Sequence, residues 1–171
     1  MWIFDGVLAD FNGTTDRILK EIGCENDWKT EVEKPMWGMV GSHIKDIYAR
    51  LDVLLDAHEL VDFCLNVGSG RRVEILTAIP RRGYFPDAVD HKREWVAKNF
   101  PQIKHVNFGP YAKDKQYHYK IGDILIDDSA QNIEQWIARG GNAFLHTSAK
   151  DTIEQMEFKR KAGALRWLNS L

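Results

Sequence analysis

The chain has 171 residues, 44% hydrophobic and 28% charged, with a formal net charge of −2. Those values describe one soluble globular domain with a real core and room for a small insertion. They give no global basic field for nucleic acid, no apolar run of the ~20 residues that span a membrane, and no basic-then-apolar leader, so neither nucleic acid nor membrane is expected as a partner. Cys24 and Cys64 stand in no metal-like spacing and read as reduced thiols of a cytoplasmic protein.

In chain order, the first short apolar run is WIF at 2–4, which leads into DGVLADF at 5–11. From residue 12 to about residue 70 no clear strand is evident. Helical patterns cover 14–22, 42–55 and 57–67, joined by the loop EKPMWGMV at 33–40. The next strand is VEIL at 73–76, running into Thr77. A helix over 87–100 has Ala88, Trp95, Val96 and Phe100 as its apolar residues. A weaker strand, HVNF, follows at 105–108, and then ILI at 124–126 runs into Asp127-Asp128. A helix over 129–139 opens with Ser129 as cap and stops before Gly140-Gly141. After AFL at 143–145, the tail from 151 to 171 again shows helical spacing.

Strand alternating with helix predicts an α/β fold, a Rossmann-like, mostly parallel sheet sandwiched by helices. Residues 1–12 and 70–171 form the expected core domain, and 13–69 a small helical cap inserted after the first strand. Ligands of such sheets bind beyond the carboxyl ends of the strands. That rule selects Asp5, Thr77 and Asp127-Asp128, which follow three of the candidate strands.

Two adjacent carboxylates at a strand end are costly without a cation, and Mg²⁺ suits them because it takes oxygen ligands and keeps waters for a phosphate. The plainer reading makes one of them a helix cap. Thr77, followed by the backbone N–H of Ala78, suits a phosphate oxygen, although Thr at a strand end is ordinary. Lys92 stands in the first half of its helix, against the dipole preference; it is either a phosphate partner or a solvated surface charge. Arg81-Arg82, in TAIPRR, are receivers for a substrate anion or plain surface charge. Trp37 stacks on a planar ligand or pins the insertion to the core. His105, His118 and His146 read as ordinary side chains rather than ligands.

The order of these pieces resembles the haloacid dehalogenase superfamily, and within it the 5′(3′)-deoxyribonucleotidases. DGVLADF, a helical insertion, ILTAIPR, HKREWVAKNF and GDILIDDS follow one another across nearly the whole chain. The resemblance implies a Mg²⁺-dependent phosphatase of nucleoside monophosphates that works through an aspartyl-phosphate. It implies Thr77 and Lys92 on the transferring phosphoryl group, and Asp128 as a Mg²⁺ ligand with Asp127 beside it. Met36-Trp37 and Phe11 are implied as walls of the sugar and base pocket. The family's frequent dimers make a homodimer an expectation.

One departure stands out. The family start reads D-x-DGVLADF, with a nucleophile first and an acid/base Asp second. Here the first position is Ile3 and the second is Asp5. By that alignment Asp5 is the acid/base residue, with its carbonyl toward Mg²⁺, and the attacking carboxylate is missing. By the other, residues 2–4 are the strand, Asp5 is the nucleophile, and the acid/base carboxylate is missing. An Ile forms no phosphoenzyme, so the first alignment describes a catalytically impaired relative that binds nucleotide or phosphate. A phosphatase of another small phosphate ester is the third reading.

Overall fold

The computed structural model describes residues 1–3, 5–23, 40–67, 72–80, 84–109 and 111–165. Five parallel strands form its main sheet, in the order β5-β4-β1-β6-β7. They are β1 (Trp2–Ile3), β4 (Glu74–Ala78), β5 (Val106–Gly109), β6 (Ile124–Asp127) and β7 (Asn142–Leu145). The α/β expectation holds, and the strand runs read from sequence shift by a residue or so.

Both faces of the sheet are covered, as the near-continuous apolar strands require. Alternate residues go to opposite sides. Ile75, Ile124, Ile126 and Phe144 join the larger core, and Leu76, Leu125 and Ala143 the smaller one. On the larger side lie α4 (Ala57–Val67), α5 (Ala88–Asn99) and α7 (Ala149–Lys161), contributing Leu60 and Val61, Trp95 and Val96, and Met156. On the smaller side lies α6 (Ala130–Ala138), with Ile133 and Trp136. Ser129 caps α6 by accepting from the Asn132 N–H. The chain leaves α6 through Gly140, whose φ of 86° is the left-handed conformation expected there. Gly141 lets the backbone pass against the Trp136 ring, where a Cβ would overlap it.

The stretch after β1 departs from an all-helical insertion. A four-residue turn of helix, α1 (Asp5–Leu8), runs into β2 (Ala9–Asp10) and then α2 (Phe11–Glu21). β2 pairs antiparallel with β3 (Asp52–Val53), so a strand does exist where none was expected. It breaks the single helix read over 42–55. Only α3 (Ile47–Arg50) remains of it after residue 46, ended by Leu51 at ψ 134°. Tertiary bonds decide this, overriding local propensity. The Leu51 carbonyl accepts from Trp95 Nε1 at 2.7 Å, and the Asp52 N–H donates to Thr14 Oγ1 at 2.9 Å. Val40, Ile44, Ile47, Tyr48 and Leu51 pack into the same core as the sheet. Among the described residues no helix is long and apolar enough to cross a membrane.

Candidate active site

β4, β1 and β6 are neighbours, so their carboxyl ends lie side by side. The register pairs Ile3 with Ile75 on one flank and with Ile126 on the other. Two residues past each member of that row stand Asp5, Thr77 and Asp128. Asp5 opens α1, whose backbone turns away from the sheet there; the carboxylate of Asp5 lies outside the described atoms. So do Trp37 and Arg81, which fall outside the described residues.

On the β4 side, Thr77 is buried and its Oγ1 accepts from Lys92 Nζ at 2.6 Å. The same ammonium donates to the Ala78 carbonyl at 3.0 Å and lies 4.5 Å from the centroid of the Tyr48 ring. Lys92 is only 6% exposed, which removes the solvated-surface reading. Such partners stand in for the water that a buried ammonium loses. Its position early in α5, unfavourable to the helix dipole, is explained by the reach to the end of β4.

On the β6 side the two carboxylates separate. Asp127 is fully buried. One of its oxygens accepts from Lys115 Nζ at 2.5 Å; the other accepts from the Ser129 N–H and from Asn132 Nδ2, each at 2.9 Å. Its charge is therefore matched inside the protein, by a lysine that sequence reasoning passed over. Asp128 is exposed, and its carboxylate lies against Gly6, where any Cβ would overlap it. Gly6 is required for that close approach. The more exposed of the two carboxylates is thus Asp128, with Asp127 fixed behind it.

An aromatic wall stands over the β4 side. Phe11 stacks on Tyr48 at 5.8 Å with an interplanar angle of 28°, and Phe85 meets Tyr48 edge-on at 5.4 Å. Tyr48, from α3, is the second residue the sequence reading missed. A cavity of about 10 Å³, bordered by Tyr48, Thr77, Lys92 and Trp95, has room for about one water.

His146, at the end of β7, meets Thr152 Oγ1 at 2.9 Å through Nδ1. Burial holds its imidazole below the usual histidine range, with the carboxylates of Asp56, Asp128 and Asp151 opposing. That contact ties the end of β7 to α7. Burial also pushes the Cys64 thiol up to about 12, so it is no nucleophile.

Thr77, Asp127 and Asp128 present oxygen donors at these strand ends, which fits a hard divalent cation. Among the described residues no group of three or more His, Cys, Asp or Glu is gathered around one point.

A family model described as 5′ nucleotidase, deoxy (Pyrimidine), cytosolic type C protein matches residues 3–163. No curated protein matches the chain.

Proposed function

The chain belongs to this 5′-nucleotidase family of hydrolases, and from that premise we propose that it hydrolyses (deoxy)ribonucleoside monophosphates to nucleoside and phosphate, with Mg²⁺, through an aspartyl-phosphate on Asp5. The observation that supports Asp5 as nucleophile is the register. Asp5 lies two residues past Ile3, as Thr77 and Asp128 lie two residues past Ile75 and Ile126.

In this reading the Asp5 carboxylate attacks phosphorus and the bond from phosphorus to the ribose oxygen breaks. Water replaces the absent second carboxylate as proton donor to that oxygen, and a second water then releases phosphate from Asp5. Thr77 Oγ1 and the Ala78 N–H hold phosphoryl oxygens. Lys92, already hydrogen-bonded to Thr77 at 2.6 Å, offsets their charge. Asp5 and Asp128 would hold Mg²⁺, which supplies further positive charge at the same oxygens. Asp127, engaged by Lys115, keeps Asp128 in place. Phe11, Tyr48 and Trp37 form the base and sugar wall, and Arg81 receives substrate anion. The compartment is the cytoplasm, and the partner is a small nucleotide.

Ile3 favours a second reading, a relative that binds nucleotide without turning it over. Phosphate release from a panel of nucleoside monophosphates, with and without Mg²⁺, separates the two. The hydrolase reading expects release that a chelator abolishes, and Trp37→Ala raising KM for nucleotides but little for small phosphate esters. Binding without release selects the second reading. Release from small esters alone selects a phosphatase of another substrate.

A further inference from the structure

A cavity of about 460 Å³ opens at the other end of the sheet, between α5 and the start of β5. β5 is an edge strand, paired with β4 alone among the described residues. Val96, Ile103 and Val106 contribute an apolar surface to it, and Arg93, Lys104 and His105 a basic one. No carboxylate is among the described residues that line it, in a chain with 25 acidic residues against 23 Lys and Arg.

The surroundings keep that charge in place. The Arg93 guanidinium lies 5.1 Å from the centre of the Phe108 ring and 3.5 Å from Asp90, on the exposed side. Lys104 Nζ donates to the Pro101 carbonyl at 2.6 Å, and no carboxylate among the described residues pairs with it. Arg72 Nη1 stands 3.5 Å from His105 Nε2. Glu74 is turned to other partners, accepting from Asn107 Nδ2 at 2.9 Å and pairing with Arg72 at 3.7 Å.

The volume falls among small-ligand sites and far exceeds the ~30 Å³ share of one water. A bare inorganic ion would leave the apolar side uncovered, and an uncharged apolar molecule would leave the basic side unmatched. We infer that this cavity is a second, non-catalytic site for an organic phosphate, with the phosphate on Arg93, Lys104 and His105 and an apolar or aromatic body on Val96, Ile103 and Val106. Arg and Lys together are well suited to phosphate oxygens. The site is separate from the nucleotidase reading, because none of Thr77, Lys92, Asp127 and Asp128 borders it.

The test is a titration followed by amide NMR shifts, with phenyl phosphate as probe and inorganic phosphate and phenol as its two halves. It is run on the full chain and on Lys92→Ala, which slows turnover. The expected result is saturable shifts at residues 103–107 in both proteins, with phenyl phosphate binding more tightly than either half. Arg93→Glu with Lys104→Glu should weaken that binding about tenfold or more. Ala97→Phe should do the same by filling the cavity without changing charge. Shifts at Thr77 and Ala78 should survive all three changes. Shifts confined to Thr77 and Ala78, or equal affinity for inorganic phosphate at residues 103–107, would overturn the inference.

Discussion

The two ends of the sheet differ in the way chemistry and empty space are distributed. At the carboxyl ends, polar groups are buried in short, directed contacts, Lys92 on Thr77 and Lys115 on Asp127. At the amino ends, a cavity of about 460 Å³ is bordered by exposed cations on an apolar surface. Reaction chemistry needs groups fixed before the substrate arrives. The large open cavity suits binding and lacks any buried acid, base or nucleophile.

Variants at the two ends sharpen this contrast. Lys115→Met should have the largest effect on stability. It leaves the fully buried Asp127 uncompensated, at a cost of about 3–5 kcal/mol, read as a lower urea midpoint. Adding Asp127→Leu should recover much of that stability and none of the turnover. Lys92→Ala should lower kcat by roughly 10²–10³ with a smaller loss of stability, because it removes charge at the phosphoryl oxygens. Lys104→Glu, at the opposite end, should leave kcat unchanged. Equal losses from Lys92→Ala and Lys104→Glu would erase the contrast.

Tyr48→Leu should be milder. It removes a ring that contacts Lys92 and stacks on Phe11, an effect of about 0.5–1.5 kcal/mol. In kinetics it should appear as KM for nucleotides rising up to about tenfold, with small phosphate esters little affected. The smallest effect is on pH dependence. Burial lowers the native pKa of His146, so as pH falls through the unfolded value near 6.5 the unfolded chain takes up a proton that the native state resists. Stability from this group is therefore full above that pH and declines below it, until the lowered native pKa is passed. His146→Gln should flatten that part of a profile of urea midpoint against pH.

Much of the sheet was legible because each strand is a short apolar run ending in a polar residue, and the rule that ligands bind at carboxyl ends then selected Thr77 and Asp127-Asp128. Ser129 and Gly140 were legible because caps follow local chemistry. The β2–β3 pair was not. Each strand has two residues, too few for a period, and it is held by Thr14 and Trp95 from elsewhere in the chain. Reading 42–55 as one helix concealed the break at Leu51 and with it the placement of Tyr48. Lys115 was missed because it sits in AKDKQYHYK, a polar run with no apolar period, folded as a 3₁₀ helix over Ala112–His118. A signal did exist. Adjacent carboxylates need a cation, and a nearby lysine meets that need for Asp127 before any metal is invoked.

The position of Asp5 is the central claim, and Ile3 is the rival site for the attacking carboxylate. Ile3 lies in β1 between Ile75 and Ile126, both buried. The most direct measurement is Mg²⁺-dependent phosphate release from a deoxyribonucleoside monophosphate by the chain, by Asp5→Asn and by Ile3→Asp. If Asp5 is the nucleophile, the chain is active, Asp5→Asn is silent, and Ile3→Asp gains nothing while losing stability. A silent chain made active by Ile3→Asp would contradict the account and assign the attacking position to residue 3.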